Sequence, residues 1–509
     1  MRSLSTIKPD APICRSEEIE LKLALPTSDP SSLAERLGRT PVLAHREAIQ
    51  QRLHNVYYDT PDQWLYQQCI ALRSRRVGGD ARPKWLQTLK TAGHSDSELS
   101  QRGEWEESVP DAQLSLDALK ATPWMALDPD GSVFRALVPA FVTIFERTSW
   151  MVRRRDRSLI EVSLDVGSIV AGDQSAPICE LELELLAGQP AALFDLARQI
   201  ASTIAVLPAH RSKAERGYAL MQNCLDMPLV ATTPEFTRDL TPHEAAARVL
   251  REMFCQFTGN LNAMRTSDSP EVVHQARVAW RRFRSAVRLF KPVLVPDAVP
   301  SLQGLQPLLG FLSELRDIDV ALNDTLPPLA EAFAAGDAGR IRGWQAMMRL
   351  LQDAADIQRK SVRYALLDPA VGTALLALTQ WLENLPKQSR EQGAGLAVKL
   401  SLRRWARRRI VRLHEQLKDA RRDTGNANSQ HRIRIFAKRL RYSIEALRTL
   451  LPKRRTQHWY EQATNLQTSL GALRDVMQAS ALVAKLEADR GVIEFLRGIA
   501  VGQAKMPVG

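Results

Sequence analysis

Cysteine is scarce and unpatterned. Five residues in 509, Cys14, Cys69, Cys179, Cys224 and Cys255, form no CxxC pair and no zinc-type spacing with histidine, which argues against a disulfide scaffold or zinc centre and for a reducing compartment. Apolar runs are short as well. None approaches the roughly 20 residues needed to cross a bilayer, and the stretch through Cys14 lacks a signal-peptide core. A soluble cytoplasmic protein with no membrane partner is expected. Aromatic residues are 6% of the chain and are not interleaved with its basic stripes, which disfavours nucleic acid, since single strands are held by base stacking. A GxxxxGK(S/T) phosphate loop is missing too, so the usual nucleotide cradle is absent.

What is present divides in two. Residues 1–230 hold 26 Lys+Arg and 30 Asp+Glu, whereas residues 231–509 hold 43 and 27, so the net charge of +12 splits into −4 and +16. At this length two or more cores are expected, and such a split points to a second module that meets a polyanion. From about Glu17 to Glu184 apolar and polar residues alternate with the period of a strand. Beyond Pro242, Ala, Leu and Arg recur with the period of a helix.

The first half is unusual in what alternates. Glu18, Glu20 and Lys22 share one face of the first strand, opposite Ile19, Leu21 and Leu23. The same i, i+2 spacing returns at Arg73/Arg75, Thr88/Lys90, Arg102/Glu104/Glu106 and Glu180/Glu182/Glu184. For one strand alone, a solvated face explains this. Five strands with both signs interleaved fit a barrel whose charges point inward. Such a lumen takes an anion on its Arg and Lys and a cation on its carboxylates, the pairing that phosphoryl transfer uses. Carboxylate oxygens suit Mg2+ or Mn2+ rather than Zn2+.

In order along the chain, Glu18-Ile19-Glu20-Leu21-Lys22, Tyr57-Tyr58-Asp59-Thr60-Pro61, Leu72-Arg73-Ser74-Arg75, Thr88-Leu89-Lys90, Arg102-Gly103-Glu104, Asp165-Val166-Gly167 and Glu180-Leu181-Glu182-Leu183-Glu184 resemble the CYTH, or triphosphate tunnel metalloenzyme, family over roughly residues 16–220. The resemblance implies an eight-stranded antiparallel β-tunnel with flanking helices that hydrolyses a triphosphate with Mg2+ or Mn2+. It implies that Glu18, Glu20, Glu104, Glu180 and Glu182 hold the metal and that Glu18 and Glu20 also orient the attacking water beside Lys22. Lys22, Arg73, Arg75, Lys90, Arg147 and Lys213 would grip the substrate, and Glu106 and Glu184 lie on the same faces. Ser149 stands where the family often has a second basic residue after Arg147, so the grip there is either weaker or supplied by Arg153 or Arg154. The Ile178–Glu184 strand and the helical half downstream resemble bacterial inorganic triphosphatases, which makes inorganic triphosphate the expected substrate.

The helical half contains a duplication. His274-Gln275-Ala276-Arg277 with Arg281, Arg282 and Arg284 matches His431-Arg432-Ile433-Arg434 with Lys438, Arg439 and Arg441, and Leu315-Arg316-Asp317 matches Leu473-Arg474-Asp475. In the first copy Ser269 and Pro270 supply a helix start, after which His274, Arg277, Arg281, Arg284 and Arg288 fall on one stripe beside an apolar one. The arginine-rich stretch from Arg403 to Arg412 stands between the copies. One basic stripe is usually a solvated face, whereas two related ones favour phosphate binding. These segments resemble the CHAD domain, a conserved-histidine helical module, over about residues 240–490. That resemblance implies an all-α domain of two pseudo-symmetric four-helix bundles that binds inorganic polyphosphate through His274, Arg277, Arg281, Arg284, His431, Arg434, Lys438 and Arg441, with Arg404 and Arg408 as lesser ligands. Val476-Met477 stands in the second copy where the first has Ile318-Asp319.

The expected organisation is α+β: a tunnel domain at 16–220, a linker at 221–240 and the helical domain at 241–495. The expected function is a metal-dependent inorganic triphosphatase, a hydrolase, joined to a polyphosphate-binding domain. The alternatives are a non-catalytic polyphosphate scaffold and a tunnel acting on thiamine triphosphate or ATP.

Overall fold

The computed structural model describes residues 18–27, 29–78, 83–91, 99–237, 240–294, 299–392, 401–422 and 429–504. The chain separates into two compact units, residues 1–226 and 227–509.

The first unit is built on strands β1 (Glu18–Ala24), β2 (Ala48–Asp59), β3 (Ile70–Val77), β4 (Lys84–Thr91), β5 (Leu99–Arg102), β6 (Glu104–Val109), β7 (Val138–Arg153), β8 (Leu159–Ala171) and β9 (Gln174–Ala187). They pair in the order β1-β9-β8-β7-β2-β3-β4, and every pairing is antiparallel. β5 and β6 are one run broken at Gly103. The first part pairs with β1, Leu21 opposite Leu99, and the second with β4, Lys90 opposite Glu104. This run therefore joins the two ends of the order and closes an eight-stranded ring. A short segment, β10 (Leu207–Pro208), pairs with the end of β1.

Closure decides which face of each strand is inside. Leu21, Leu23, Leu181 and Leu183 are buried on the outer face, where helix α1 (Ala191–Ala201) packs on β1 and β9 with its apolar stripe of Leu193, Leu196, Ala197 and Ile200. Elsewhere around the ring, Ile70, Leu72 and Leu89 are covered by Leu65, Leu119 and Trp124. At one end the inward residues are apolar too. Leu53, Tyr57, Phe141, Phe145, Ile169 and Ile178 gather around Tyr218 and Leu220 of α2 (Lys213–Met221), so this helix plugs the ring. Its seat requires Gly217, where a Cβ would meet Phe141 ring atoms at 2.1–2.5 Å. Asp59 ties the plug to the wall. Its buried carboxylate accepts the backbone N–H of Thr60, Leu65 and Tyr66 at 2.7, 2.8 and 3.0 Å and the Tyr218 hydroxyl at 2.7 Å.

The second unit is helical. Thr241 caps α3 (Pro242–Ala263) through a capping box with Glu244, and Ser269 caps α4 (Pro270–Phe290), which begins on its proline. α3 packs on α4, α4 on α5 (Gln306–Val320), and α5 on α6 (Ala338–Ala365), while α7 (Pro369–Gln392) returns to α3. The pattern repeats with α8 (Leu402–Arg422), α9 (Ser429–Leu447), α10 (Lys453–Lys485) and α11 (Arg490–Ala504), each packed on the next. α4 and α9, which carry the duplicated His/Arg segments, touch each other. Among the described residues no single helix is long and apolar enough to cross a membrane.

Candidate active site and phosphate-binding centre

The antiparallel register lines up the inward side chains in rungs across the strands. Arg147 stands opposite Asp165, and Asp165 opposite Glu180. One rung along, Ser149, Ser163, Glu182 and Lys22 succeed one another. The next rung carries Glu161, Glu184 and Glu20. Across the ring, Arg75 faces Asn55, Arg73 faces Tyr57 on one side and Thr88 on the other, and Lys90 faces Glu104. Together these enclose a cavity of about 970 Å3 lined by Glu18, Glu20, Lys22, Arg73, Arg75, Lys90, Glu104, Arg147, Glu182 and Lys213, among others.

The charges interlock. Lys90 Nζ lies 3.0 Å from both Glu18 and Glu104, and Arg73 and Arg75 lie 3.6 Å from Glu104 and Glu106. Lys22 Nζ is 3.3 Å from Glu20 and 3.2 Å from Glu182. Arg147 forms a fork on Asp165, 2.7 Å at each oxygen, and reaches Glu182 at 2.6 Å. From the plug, Lys213 Nζ sits 2.6 Å from Asp165, 2.5 Å from Glu180 and 3.0 Å from Glu182, and Arg216 is 3.1 Å from Glu180. Burial opposes ionisation of these acids, but the cations prevail. Lys90 and Arg73 hold the Glu104 carboxyl down to about 2, and Lys213, Lys22 and Arg147 hold Glu182 well below the carboxylate range. Burial lowers Arg75 to about 10, with Arg73 beside it adding to the effect. That guanidinium is the poorly compensated one, and an anion in the lumen would relieve it.

Asp165, Glu180 and Glu182 bring one oxygen each within 4.8 Å of one another. Lys213, Arg147, Arg216 and Lys22 already surround them, so the deeper pair, Asp165 and Glu180, is arranged as a socket for Lys213. Glu18, Glu20, Glu104, Glu161, Glu182 and Glu184 open on the cavity instead. They form an all-oxygen donor set of the kind hard divalent cations take.

In the helical unit the duplicated segments meet. Burial lowers Arg277, and Arg281, Arg316 and Arg474 lower it further. Burial lowers Arg434 in the same way, with Arg474 and Arg281 adding to it. Lys438 is pushed down to about 8 by burial and then by Arg434, Arg281, Arg474 and Arg441. His274 is lowered by burial and by Arg316 and Arg281, against Glu271 and Asp324. Residues of both copies thus share one positive centre, with Asp317 beside Arg277 and Asp475 beside Arg434. Gln478 of the second copy donates to Asp317 of the first. Arg284, Arg404 and Arg408 are exposed, and the His431 side chain lies outside the described residues.

Family models match both halves: the CYTH domain model over residues 16–218 and the CHAD domain model over residues 248–484. The chain is a CYTH domain followed by a CHAD domain. An inorganic triphosphatase from Haemophilus influenzae is 35% identical to it over 211 residues, 40% of this chain and 55% of the relative, so the chain spans about half the length of that protein. A CHAD domain from the plant Ricinus communis is 29% identical, covering 55% of this chain and 93% of the other, with a TM-score of 0.46. A candidate adenylyl cyclase from Hippeastrum with a dominant triphosphatase activity is 20% identical, covering 40% of this chain and 95% of the other, with a TM-score of 0.28.

One expectation for the CYTH unit needs correction. Neither Arg153 nor Arg154 replaces the basic residue missing at Ser149. Arg154 donates to the Ala192 carbonyl at 3.2 Å and lies 3.6 Å from Asp195, so it is spent on α1, while Arg153 is exposed at the end of β7. Ser149 instead lies 2.8 Å, Oγ to Oγ, from Ser163. Sequence reasoning quoted Asp165 within a motif but gave it no role, and missed Arg216. Asp165 shares a strand face with Glu161 and Ser163, and Arg216 follows Lys213 by one helical turn, signals visible only once the plug is known to enter the ring. In the CHAD unit, Asp319 has a structural part: it faces Arg359 of α6 at 3.6 Å, whereas its counterpart Met477 is exposed.

Proposed function

We propose that the CYTH unit hydrolyses inorganic triphosphate to diphosphate and phosphate in the cytoplasm, with Mg2+ or Mn2+, and that the CHAD unit binds inorganic polyphosphate. The working boundaries are 16–220 for the tunnel, 221–240 for a linker and 241–495 for the helical domain. The observation that carries the reading is the convergence of both signs of charge on one lumen. Arg73, Arg75 and Lys90 on β3 and β4 and Lys22 and Arg147 on β1 and β7 interlock there with carboxylates of β1, β6 and β9. The 35% identity to an inorganic triphosphatase supports the same choice of substrate.

In this reading Arg73, Arg75, Lys90 and Arg147 neutralise the phosphate oxygens, Arg as a fork and Lys as a point charge. Lys22, on β1, lies between Glu20 and Glu182. Glu18, Glu20, Glu104 and Glu182 would hold the divalent cation, whose part is to draw charge from the transferred phosphoryl group. Glu18 and Glu20, on β1, orient the attacking water and accept its proton. Glu180, proposed as a metal ligand on motif grounds, also anchors Lys213 at the inner end of the phosphate path. The CHAD centre, built around His274, Arg277, Arg281, Arg434, Lys438 and Arg441, with the exposed Arg284, Arg404 and Arg408 as lesser ligands, holds the polymer and tethers the enzyme to it.

Phosphate release from triphosphate, thiamine triphosphate and ATP, each with and without Mg2+ or Mn2+, tests the tunnel. Triphosphate should be the best substrate, and Glu20→Ala should lower kcat by at least about 100-fold while leaving polyphosphate binding unchanged. Survival of turnover in Glu20→Ala would remove the lumenal carboxylates from the mechanism.

A further inference from the structure

Helix α6 packs its inner stripe, Trp344, Met347, Leu351, Ala355 and Val362, into its own bundle. Its outward side exposes polar residues such as Arg342, Gln345, Arg349, Gln352 and Asp356, but one stripe on it is apolar. Leu350 is 40%, Ile357 66% and Tyr364 77% exposed. These three recur every seven residues, the spacing that keeps a seam facing a second helix along its length and that a face in water has no reason to keep. The intermediate positions of the same seam are Ala346, Asp353, Lys360 and, just past the helix end, Leu367, all of them exposed. Beside the seam an apolar recess of about 350 Å3 opens between Phe311 of α5 and Ile357, Lys360, Ser361 and Tyr364. The seam is held firmly, because Arg363 ties the end of α6 to the Met264 and Ser267 carbonyls at 3.0 and 3.2 Å and to Asp268 at 2.7 Å.

The two charges on the seam choose the occupant. Asp353 and Lys360 are of opposite sign and flank Ile357 symmetrically, about one helical turn to each side. A parallel copy of α6 would set Asp353 against Asp353 and Lys360 against Lys360. An antiparallel copy, with the two-fold axis near Ile357, sets each Asp353 near the other chain's Lys360 and each Tyr364 near the other chain's Leu350. The face is then complementary to itself, as an isologous interface requires.

We propose that the exposed face of α6 is a homodimer interface in which two copies pair antiparallel about Ile357, with the Phe311 recess receiving a side chain from the facing helix. The surface is independent of the lumen and of the arginine centre.

Sedimentation and light scattering on the full chain test this, between about 1 and 100 µM, the range in which a modest interface associates. The 57.0 kDa chain should double its mass as concentration rises. Ile357→Glu should shift the midpoint at least about 30-fold to higher concentration with the melting temperature of the dilute monomer unchanged. A charge swap separates pairing from folding: Asp353→Lys alone should abolish the dimer, and Asp353→Lys with Lys360→Asp should restore it. A wild type that stays monomeric at the highest concentration overturns the proposal, as does a double swap that stays dissociated. Flotation of a monomeric wild type with anionic lipid vesicles, lost in Ile357→Glu, would give the face to a membrane surface instead and would equally overturn it.

Discussion

Replacing Lys213 with methionine removes the ammonium on which Asp165, Glu180 and Glu182 converge at 2.5–3.0 Å, in a pocket where Asp165 is fully buried. Breaking a buried ion pair costs about 3–5 kcal/mol, because the charge left behind is desolvated without its partner. Here Arg147 stays on Asp165 and Arg216 on Glu180, so the lower end of that range, about 3 kcal/mol, is expected. For a unit of this size that is a fall in melting temperature of about 6–12 °C. The loss should depend on pH. In the wild type, Lys213 is the foremost of the cations that overcome burial and depress Glu182. The stability this gives is therefore complete above the unfolded carboxylate value, near 4.3, and vanishes only as pH falls through the lower folded value. Without Lys213 the depression shrinks while burial still acts upward, so an orphaned carboxyl can take up a proton in the folded state on acidification. The gap between wild type and Lys213→Met should therefore narrow on going from about pH 7.5 to about pH 5. Scanning calorimetry of both proteins at the two pH values measures it. Equal melting temperatures near neutrality, or a gap that does not shrink in acid, would refute the socket.

Three further outcomes are expected. Polyphosphate binding at pH 8 should take up about half a proton per centre, because the Lys438 ammonium, pushed down to about 8, is restored by an anion; calorimetry in buffers of different ionisation enthalpy reads this, and Lys438→Arg should abolish it. Paired Arg281→Ala and Arg434→Ala should weaken polyphosphate binding at least about tenfold and flatten its salt dependence, with triphosphate turnover unchanged. Gly167→Ala should cost at least about 1–3 kcal/mol, seen as a lower melting temperature, since a Cβ there would stand 2.1 Å from the Ile144 carbonyl oxygen and 2.5 Å from Phe145 Cα.

The charged faces of the first unit were legible because a strand's two-residue period survives in any single strand. Glu18 with Glu20, and Arg73 with Arg75, announce a shared face before any partner is known. That the face turns inward was legible only from several strands together. How the ring closes was not. Closure depends on a run that pairs with β1 before Gly103 and with β4 after it, and no local pattern near Gly103 says that one strand serves two neighbours. The plug was hidden for a related reason. Lys213 and Tyr218 look like the start and the apolar stripe of an ordinary surface helix, and only Gly217 against Phe141 and Asp59 against Tyr218 place it inside the ring. Of the alternatives left open at Ser149, Arg154 falls away because it lies just past β7 and is engaged on α1, which its nearness in sequence to Arg147 could not show.

The two units answer opposite electrostatic problems, and the directions of their ionisation show it. In the lumen acids are pulled down and Lys213 is raised despite its burial, so charges of both signs are largely matched there, Arg75 excepted. A ligand enters by exchanging partners, which favours a compact anion arriving with a cation over an anion alone. In the CHAD centre burial lowers Arg277, Arg434 and Lys438, with Arg281 and Arg474 among the further causes for each, and Asp317 and Asp475 do not make up the deficit. A fold keeps such a cluster at a cost to its own stability, which a polyanion removes by binding. The centre should therefore stabilise on adding polyphosphate far more than the tunnel does, and lose that gain with rising salt.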